Sequence, residues 1–246
     1  MDDVVYSRMH EVEDRHWWFA ARRNIVRHLL ESLPLPPSPL ILEAGCGTGG
    51  NLQILSELGR VTGVEMTPRA AAMARERGTA DVLTGFLPDG MPPLKQKFDV
   101  ILLLDVLEHI ADDVDSLAAL RKLLAPGGYV VVTVPAFPFL WGRHDIVHQH
   151  KRRYVDSTLR SSIMKSGLRV RHISYYNTLL FPAIAALRIF ERFLKNARSL
   201  DPLAVPAGFL NRALCALLSS ERHVVTRGRL PFGISLLAVA EDTVNG

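Results

Sequence analysis

A chain of 246 residues is long enough for one α/β domain with an insertion, and its 48% hydrophobic share is ample for a packed core. The formal net charge of +4 is a mild basic excess that allows acidic substrates or an anionic membrane surface; the basic residues are scattered, which argues against nucleic acid as a partner. Two cysteines, Cys46 and Cys215, make no disulfide framework, the acidic start Met1-Asp2-Asp3 is no signal peptide, and no run approaches the ~20 apolar residues of a membrane span, so the expectation is a cytoplasmic protein.

In chain order, 15–33 reads as an amphipathic helix with Trp17, Trp18, Ile25, Leu29 and Leu30 on or near one face and arginines opposite. The proline-rich 34–39 breaks it and acts as a short stiff connector. Strands are expected at 40–44, 60–65, 81–84, 98–104 and 128–134, and helices near 50–58, 68–78, 113–124 and 156–166. A sixth strand fits 168–174 and a seventh 234–240. That alternation predicts an α/β fold, a parallel, doubly wound sheet that takes ligands at the carboxyl ends of its strands. Between the last two strands lies an unusually long piece, 175–233. Its stretch 178–195 is amphipathic, with Arg188, Glu191, Arg192 and Lys195 on a separate stripe, and a second apolar helix runs from about 207 to 218. The piece reads either as a packed lid, or as an apolar substrate cleft or peripheral membrane contact helped by Arg188, Arg192, Lys195 and Arg198. The whole divides into a helical cap (1–34), a cofactor-binding core (38–174), the insertion (175–233) and a last strand with tail (234–246).

The densest signal is the end of the first strand, Glu43-Ala44-Gly45-Cys46-Gly47-Thr48-Gly49-Gly50. Glycines at a strand-to-helix turn admit positive φ and bring backbone amides close to a ligand. Glu65, ending the second strand twenty residues after Gly45, stands where a nucleotide-binding βαβ unit places its ribose acceptor. Gly45, Gly47 and Gly50 satisfy G-x-G-x-x-G, which taken alone suggests a dinucleotide and a nicotinamide-dependent oxidoreductase. A carboxylate at Glu43 would repel a pyrophosphate and suits instead a ligand with an ammonium and a sulfonium, S-adenosylmethionine.

The segment 43–49 resembles the first motif of class I S-adenosylmethionine-dependent methyltransferases. The similarity continues through Val64-Glu65, Phe98-Asp99-Val100-Ile101, Leu104 to His109 and Leu124-Ala125-Pro126-Gly127-Gly128, and covers about 38–135. The broad group with quinone-biosynthesis methyltransferases is the nearest. The resemblance implies a Rossmann-like sheet of seven strands whose seventh is antiparallel between the fifth and sixth, with a helical cap before it and a helical insertion ahead of the last strand. It implies that Gly45, Cys46, Gly47 and Gly49 hold the methionine end of the cofactor, that Glu43 acts on its ammonium directly or through water, that Glu65 binds the ribose and that Met66 packs on the adenine. Asp105 and Val106 would stand near the transferred methyl. Many relatives carry an Asp after the third strand to read the adenine; here Thr84-Gly85-Phe86-Leu87-Pro88 has none, so Phe86 and Leu87 are expected to wall the ring.

After the fifth strand, 141–154 gathers His144, His148 and His150 with Asp145, Arg143, Lys151, Arg152, Arg153 and Tyr154. The fold puts this loop over the methyl-transfer centre. His144 with Asp145, or His150, is the candidate general base; Arg152, Arg153 and Tyr154, with Trp18 of the cap and His109, are candidates for binding the acceptor. Asp105, Glu108 and His109 would share one face of a helix and, with a histidine of the loop, make a divalent-metal set; the expectation kept is no metal. The function expected is methylation of a hydroxyl on a small or lipid-like acceptor, with an oxidoreductase and a catalytically silent S-adenosylmethionine-binding module as the alternatives.

Overall fold

The computed structural model describes residues 3–193 and 203–242. In chain order these form α1 (Asp3–Val12), α2 (Trp17–Ser32), β1 (Leu40–Ala44), α3 (Leu52–Ser56), β2 (Arg60–Glu65), α4 (Pro68–Glu76), β3 (Asp81–Thr84), β4 (Phe98–Leu104), α5 (Asp113–Arg121) and β5 (Leu124–Pro135). Then come α6 (Arg143–Val147), α7 (Asp156–Lys165), β6 (Leu168–Tyr176), α8 (Phe181–Phe193), α9 (Gly208–Ser220), α10 (Arg222–Val225) and β7 (Ser235–Asp242). The strands make one sheet in the order β3-β2-β1-β4-β5-β7-β6. β1 to β5 pair in parallel, while β7 runs antiparallel to both β5 and β6.

The apolar runs of the central strands arise because both sheet faces are covered. Along β4, Val100, Leu102 and Leu104 enter one core with Ile25 and Leu29 of α2 and Leu52 and Leu55 of α3. Ile101 and Leu103 face the other way, against Leu117 and Leu120 of α5 and Leu159 and Ile163 of α7. This is the period of two that a strand imposes. Each such fully buried side chain contributes about 1.5–3 kcal/mol relative to exposure.

Three departures from the sequence expectation matter. α1 is a separate helix within the 1–34 cap, where the sequence marks a helix only over 15–33, and Glu13 just beyond it lies against the glycine turn. The helix expected over 50–58 is only Leu52–Ser56. β5 begins at Leu124 rather than 128, because Phe98 pairs with Leu124 ahead of an irregularity in the β4–β5 ladder, with Gly127 at φ +76°. The insertion is also more than a lid. Asn211 of α9 accepts a hydrogen bond from Trp17 N at 2.9 Å and donates to Arg15 O at 2.8 Å, and Asn24 donates to Ser219 at 3.1 Å. α9 therefore braces α2 from the far end of the chain. Of the basic stripe, Lys195 and Arg198 lie outside the described residues, as does the end of the 178–195 stretch.

Strand order reverses between β1 and β4, and the chain leaves these neighbouring strands towards opposite sides of the sheet. A crevice at their carboxyl ends is the consequence. The site is there.

Candidate functional site

A cleft of about 1060 Å³ opens at this switch point, lined by the glycine turn, Glu65, Asp105, the 143–153 loop and residues of α1, α2 and α8. Gly45 sits at φ +81°, and a Cβ there would stand 2.6 Å from Val106 Cγ2, so only glycine fits. Its N–H donates to Val64 O at 2.7 Å, which ties the turn to the end of β2. Glu65 Oε2 accepts from Gly47 N at 2.9 Å, and its Oε1 accepts from Thr67 N at 2.8 Å and from the Tyr6 hydroxyl at 3.2 Å. The amino-terminal helix thus supplies a hydroxyl to the very carboxylate read from sequence as a sugar acceptor. Met66 and Phe86, both more than half exposed, stand on the same rim, with Leu87 beside them in the lining.

Gly45, Cys46, Gly47, Glu65, Met66, Phe86, Leu87, Asp105 and Val106 all line the cleft. Glu43 and Gly49 do not. Glu43 is buried behind the turn, where Asn51 donates to it at 2.6 Å, and burial raises its carboxyl to about 7. Gly49 faces Ala74 and Arg77 rather than the cleft. Asp105 has φ +58°, rare for a residue with a side chain, and pairs with Arg22 of α2. It is therefore not available to the helical metal set expected with Glu108 and His109, and those two lie on a single 3₁₀ turn, Leu107–His109.

The loop after β5 is organised around Asp145. This carboxylate is fully buried, accepts from Gly142 N at 2.8 Å and Arg153 Nε at 2.8 Å, and faces His150 Nδ1 at 2.9 Å and Arg188 at 3.5 Å. Burial by itself would raise its pKa, but the His150 hydrogen bond and the Arg153 charge outweigh burial and hold it well below the usual carboxylate range. Asp145 does not touch the cleft, so its place is behind His150, not at a reacting atom. His109, His144, His148 and His150 do line it. Their rings are close: His144 lies 4.2 Å from His148, and His109 4.7 Å from His150, centroid to centroid. Burial, then the neighbouring imidazoles, lowers His109 to about 3 and His148 to about 4, and pushes His144 in the same direction.

Among the acceptor candidates, Trp18, His109 and Arg153 reach the cleft; Arg152 and Tyr154 do not. Arg152 bonds Ala111 O at 2.7 Å and pairs with Asp113 at 3.2 Å, and the buried Tyr154 hydroxyl donates to Asp113 at 2.9 Å. Both brace the loop on α5. Sequence reasoning missed Tyr6 and Arg22. Glu13 accepts from Thr48 at 2.5 Å and from Arg77 at 2.6 Å, latching α1 to the glycine turn. Only the acidic and tyrosine residues in an otherwise plain first dozen positions could have signalled it.

A family model described as a methyltransferase domain matches residues 16–180. A ubiquinone biosynthesis O-methyltransferase of Cereibacter sphaeroides is 36% identical over 106 residues, which are 41% of this chain and 43% of that protein, so the match spans less than half of either. The C-methyltransferase NovU of Streptomyces niveus is 28% identical over 155 residues, 60% of this chain and 37% of its own. Among solved structures, the Haloferax volcanii complex between the Trm112 methyltransferase activator and a methyltransferase contains a chain that superposes with TM-score 0.62 at 20% identity, covering 97% of this chain and 94% of that one. That likeness bears on the fold alone.

Proposed function

The chain belongs to the methyltransferase-domain family, and on that premise we propose that it moves the methyl group of S-adenosylmethionine to a hydroxyl of a small or lipid-like acceptor. One observation carries the reading: a single cleft is lined both by a glycine turn with its sugar-type acceptor, Glu65, and by the clustered histidines His109, His144, His148 and His150. The residues present fit the cofactor. Glu65 already takes a hydroxyl donor, Tyr6, in the way it would take a ribose hydroxyl, and nothing stands within 4 Å of where a side chain on Gly47 would begin, which leaves that part of the turn open to the methionine end. Met66 and Phe86 offer apolar faces to an adenine.

When bound, the cofactor would supply an electrophilic methyl carbon to the acceptor oxygen, its sulfur keeping the electron pair of the carbon–sulfur bond. What remains for the protein is alignment and the removal of one proton. An imidazole of His144 or His150 takes the hydroxyl proton. Asp145 orients His150 through Nδ1, and Trp18 and Arg153 hold the acceptor against the loop. An amphiphilic acceptor is favoured, because Leu187 of α8 lines the cleft and Phe190, three residues further along the same helix, is 60% exposed. The same apolar residues would make a peripheral contact with a membrane surface.

Calorimetric titration with S-adenosylmethionine, S-adenosylhomocysteine and, as control, NADH tests this. The expected result is micromolar binding of the first two and a loss of about 10–100-fold in Glu65→Gln, the worth of one or two charge-assisted hydrogen bonds. Binding of NADH alone would overturn the reading in favour of an oxidoreductase. Binding without turnover over a panel of hydroxylated amphiphiles, unaltered by His144→Asn or His150→Asn, would leave a silent binding module.

A further inference from the structure

We infer that Glu108, His109 and His150 form a site for one divalent transition-metal cation at the wall of the cleft. The donor atoms of these three residues lie within 4.8 Å of one another, and His150 Nε2 stands 3.9 Å from Glu108 Oε1. Two ligands on an ion at about 2.1 Å are at most ~4.2 Å apart, so a small rotation of one side chain closes the set. Two imidazoles and a carboxylate are the donors preferred by zinc and its first-row neighbours, not by calcium or magnesium.

Two independent observations point to a ligand. Glu108 is 1% exposed, yet neither carboxylate oxygen has a hydrogen-bond partner among the described residues. A buried carboxylate without partners keeps its full desolvation penalty, which is larger still when it is charged. A bound cation answers that need directly. Second, His150 is already held as metal-binding histidines are held, with Nδ1 against the buried Asp145 at 2.9 Å and Nε2 turned towards Glu108. The backbone fastens the two ligand segments together, since Lys151 N donates to Glu108 O at 2.7 Å. Asp105, which the sequence offered for such a set, is claimed by Arg22; the third ligand comes instead from the loop after β5.

Three protein ligands leave a tetrahedral ion one position, and His109 and His150 line the cleft from which it would be filled. An oxygen of the acceptor is the ligand of choice there. This consequence, unlike the site, rests on the methyl-transfer reading, and it leaves His144 as the proton acceptor. Asp145 is a positioning residue for His150.

The test is titration of the chelator-stripped, untagged full chain with Co²⁺ alone, followed by its visible d–d absorption, and with Zn²⁺ by calorimetry. The expected result is one ion per chain, with affinity lowered at least 100-fold in Glu108→Gln and His150→Ala and about 10–100-fold in Asp145→Asn. Far-ultraviolet circular dichroism and S-adenosylhomocysteine binding identify any variant that has misfolded, and His109→Asn then supplies a second ligand deletion. Failure of the wild-type chain to bind either ion saturably, or equal binding by folded Glu108→Gln and His150→Ala, would overturn the site. No cofactor or acceptor is present in the metal titrations, so their failure is separate from failure of the methyltransferase reading.

Discussion

Gly45 in the glycine turn and Glu43 behind it set testable limits on the site. At Gly45 an alanine would have to hold φ +81° and put its methyl 2.6 Å from Val106. Strain and overpacking together should destabilise Gly45→Ala by about 2–4 kcal/mol, visible as a lower thermal midpoint, and cofactor binding should fail with it. Glu43 acts through protons. Burial raises its folded pKa to about 7 from an ordinary 4.5, against the smaller opposing pull of Asn51 and Arg22 and with Glu13 and Glu65 adding repulsion. Between those values the folded chain holds a proton that the unfolded chain has released, so stability falls as pH rises from about 4.5 to 7 and stays lowered above. Glu43→Gln keeps the Asn51 contact and should remove that component. Urea midpoints measured from pH 5 to 8 should converge at low pH, with the variant ahead by up to ~3 kcal/mol at pH 8. Parallel profiles for the two proteins would refute the assignment.

At the scale of elements, the amino-terminal pair α1 and α2 is part of the site rather than an appendage. α1 is pinned by Tyr6 on Glu65, by Glu13 on Thr48 and by Arg77, which pairs with both Glu13 and Asp14 at 2.6 and 3.1 Å. Part of this network is buried, where losing a charged partner leaves another unpaired. Arg77→Ala should therefore free α1 without disturbing the sheet. Hydrogen exchange should rise over 3–12 while β1 and β4 stay protected, and S-adenosylhomocysteine should bind about 3–10-fold more weakly, the equivalent of ~1 kcal/mol. Unchanged exchange in α1 would mean that Tyr6 and packing hold it alone.

For the whole molecule, the question is what meets the exposed apolar residues of α8 and α9. No helix among the described residues is long and apolar enough to cross a membrane. Leu187, Ile189 and Phe190 of α8 and Phe209, Leu210 and Leu217 of α9 are nevertheless all at least 40% exposed. Surface of that kind is a binding feature more often than an accident. Vesicles with anionic headgroups should co-sediment with the protein, and Phe190→Asp with Phe209→Asp should reduce the bound fraction several-fold while leaving S-adenosylhomocysteine affinity unchanged. Equal sedimentation of both proteins would remove the membrane from the proposal and leave the apolar rim to the acceptor.

Much of this protein was legible in one dimension because its decisive features are local. Period-two and period-3.6 patterns report burial one element at a time, and the turn from Glu43 to Gly50 with Glu65 at its proper distance is a contiguous βαβ signal. The sheet, the end of the sheet at which the cleft opens and most of the residues the turn contributes to its lining followed from that. Tertiary structure alone decided which charged residues face the cleft and which brace it. Glu43, Asp145 and Tyr154 look chemical in sequence, yet the structure turns them inward, where burial demands partners and finds them in Asn51, in His150 and Arg153, and in Asp113, while Arg152 lies at the surface against Ala111 and Asp113. Tyr6, Arg22 and Asn211 look ordinary and act across 59, 83 and 194 residues of chain. Such contacts carry no spacing signal, since they exist only after folding has brought distant segments together, and they are what convert a generic cofactor fold into this particular site.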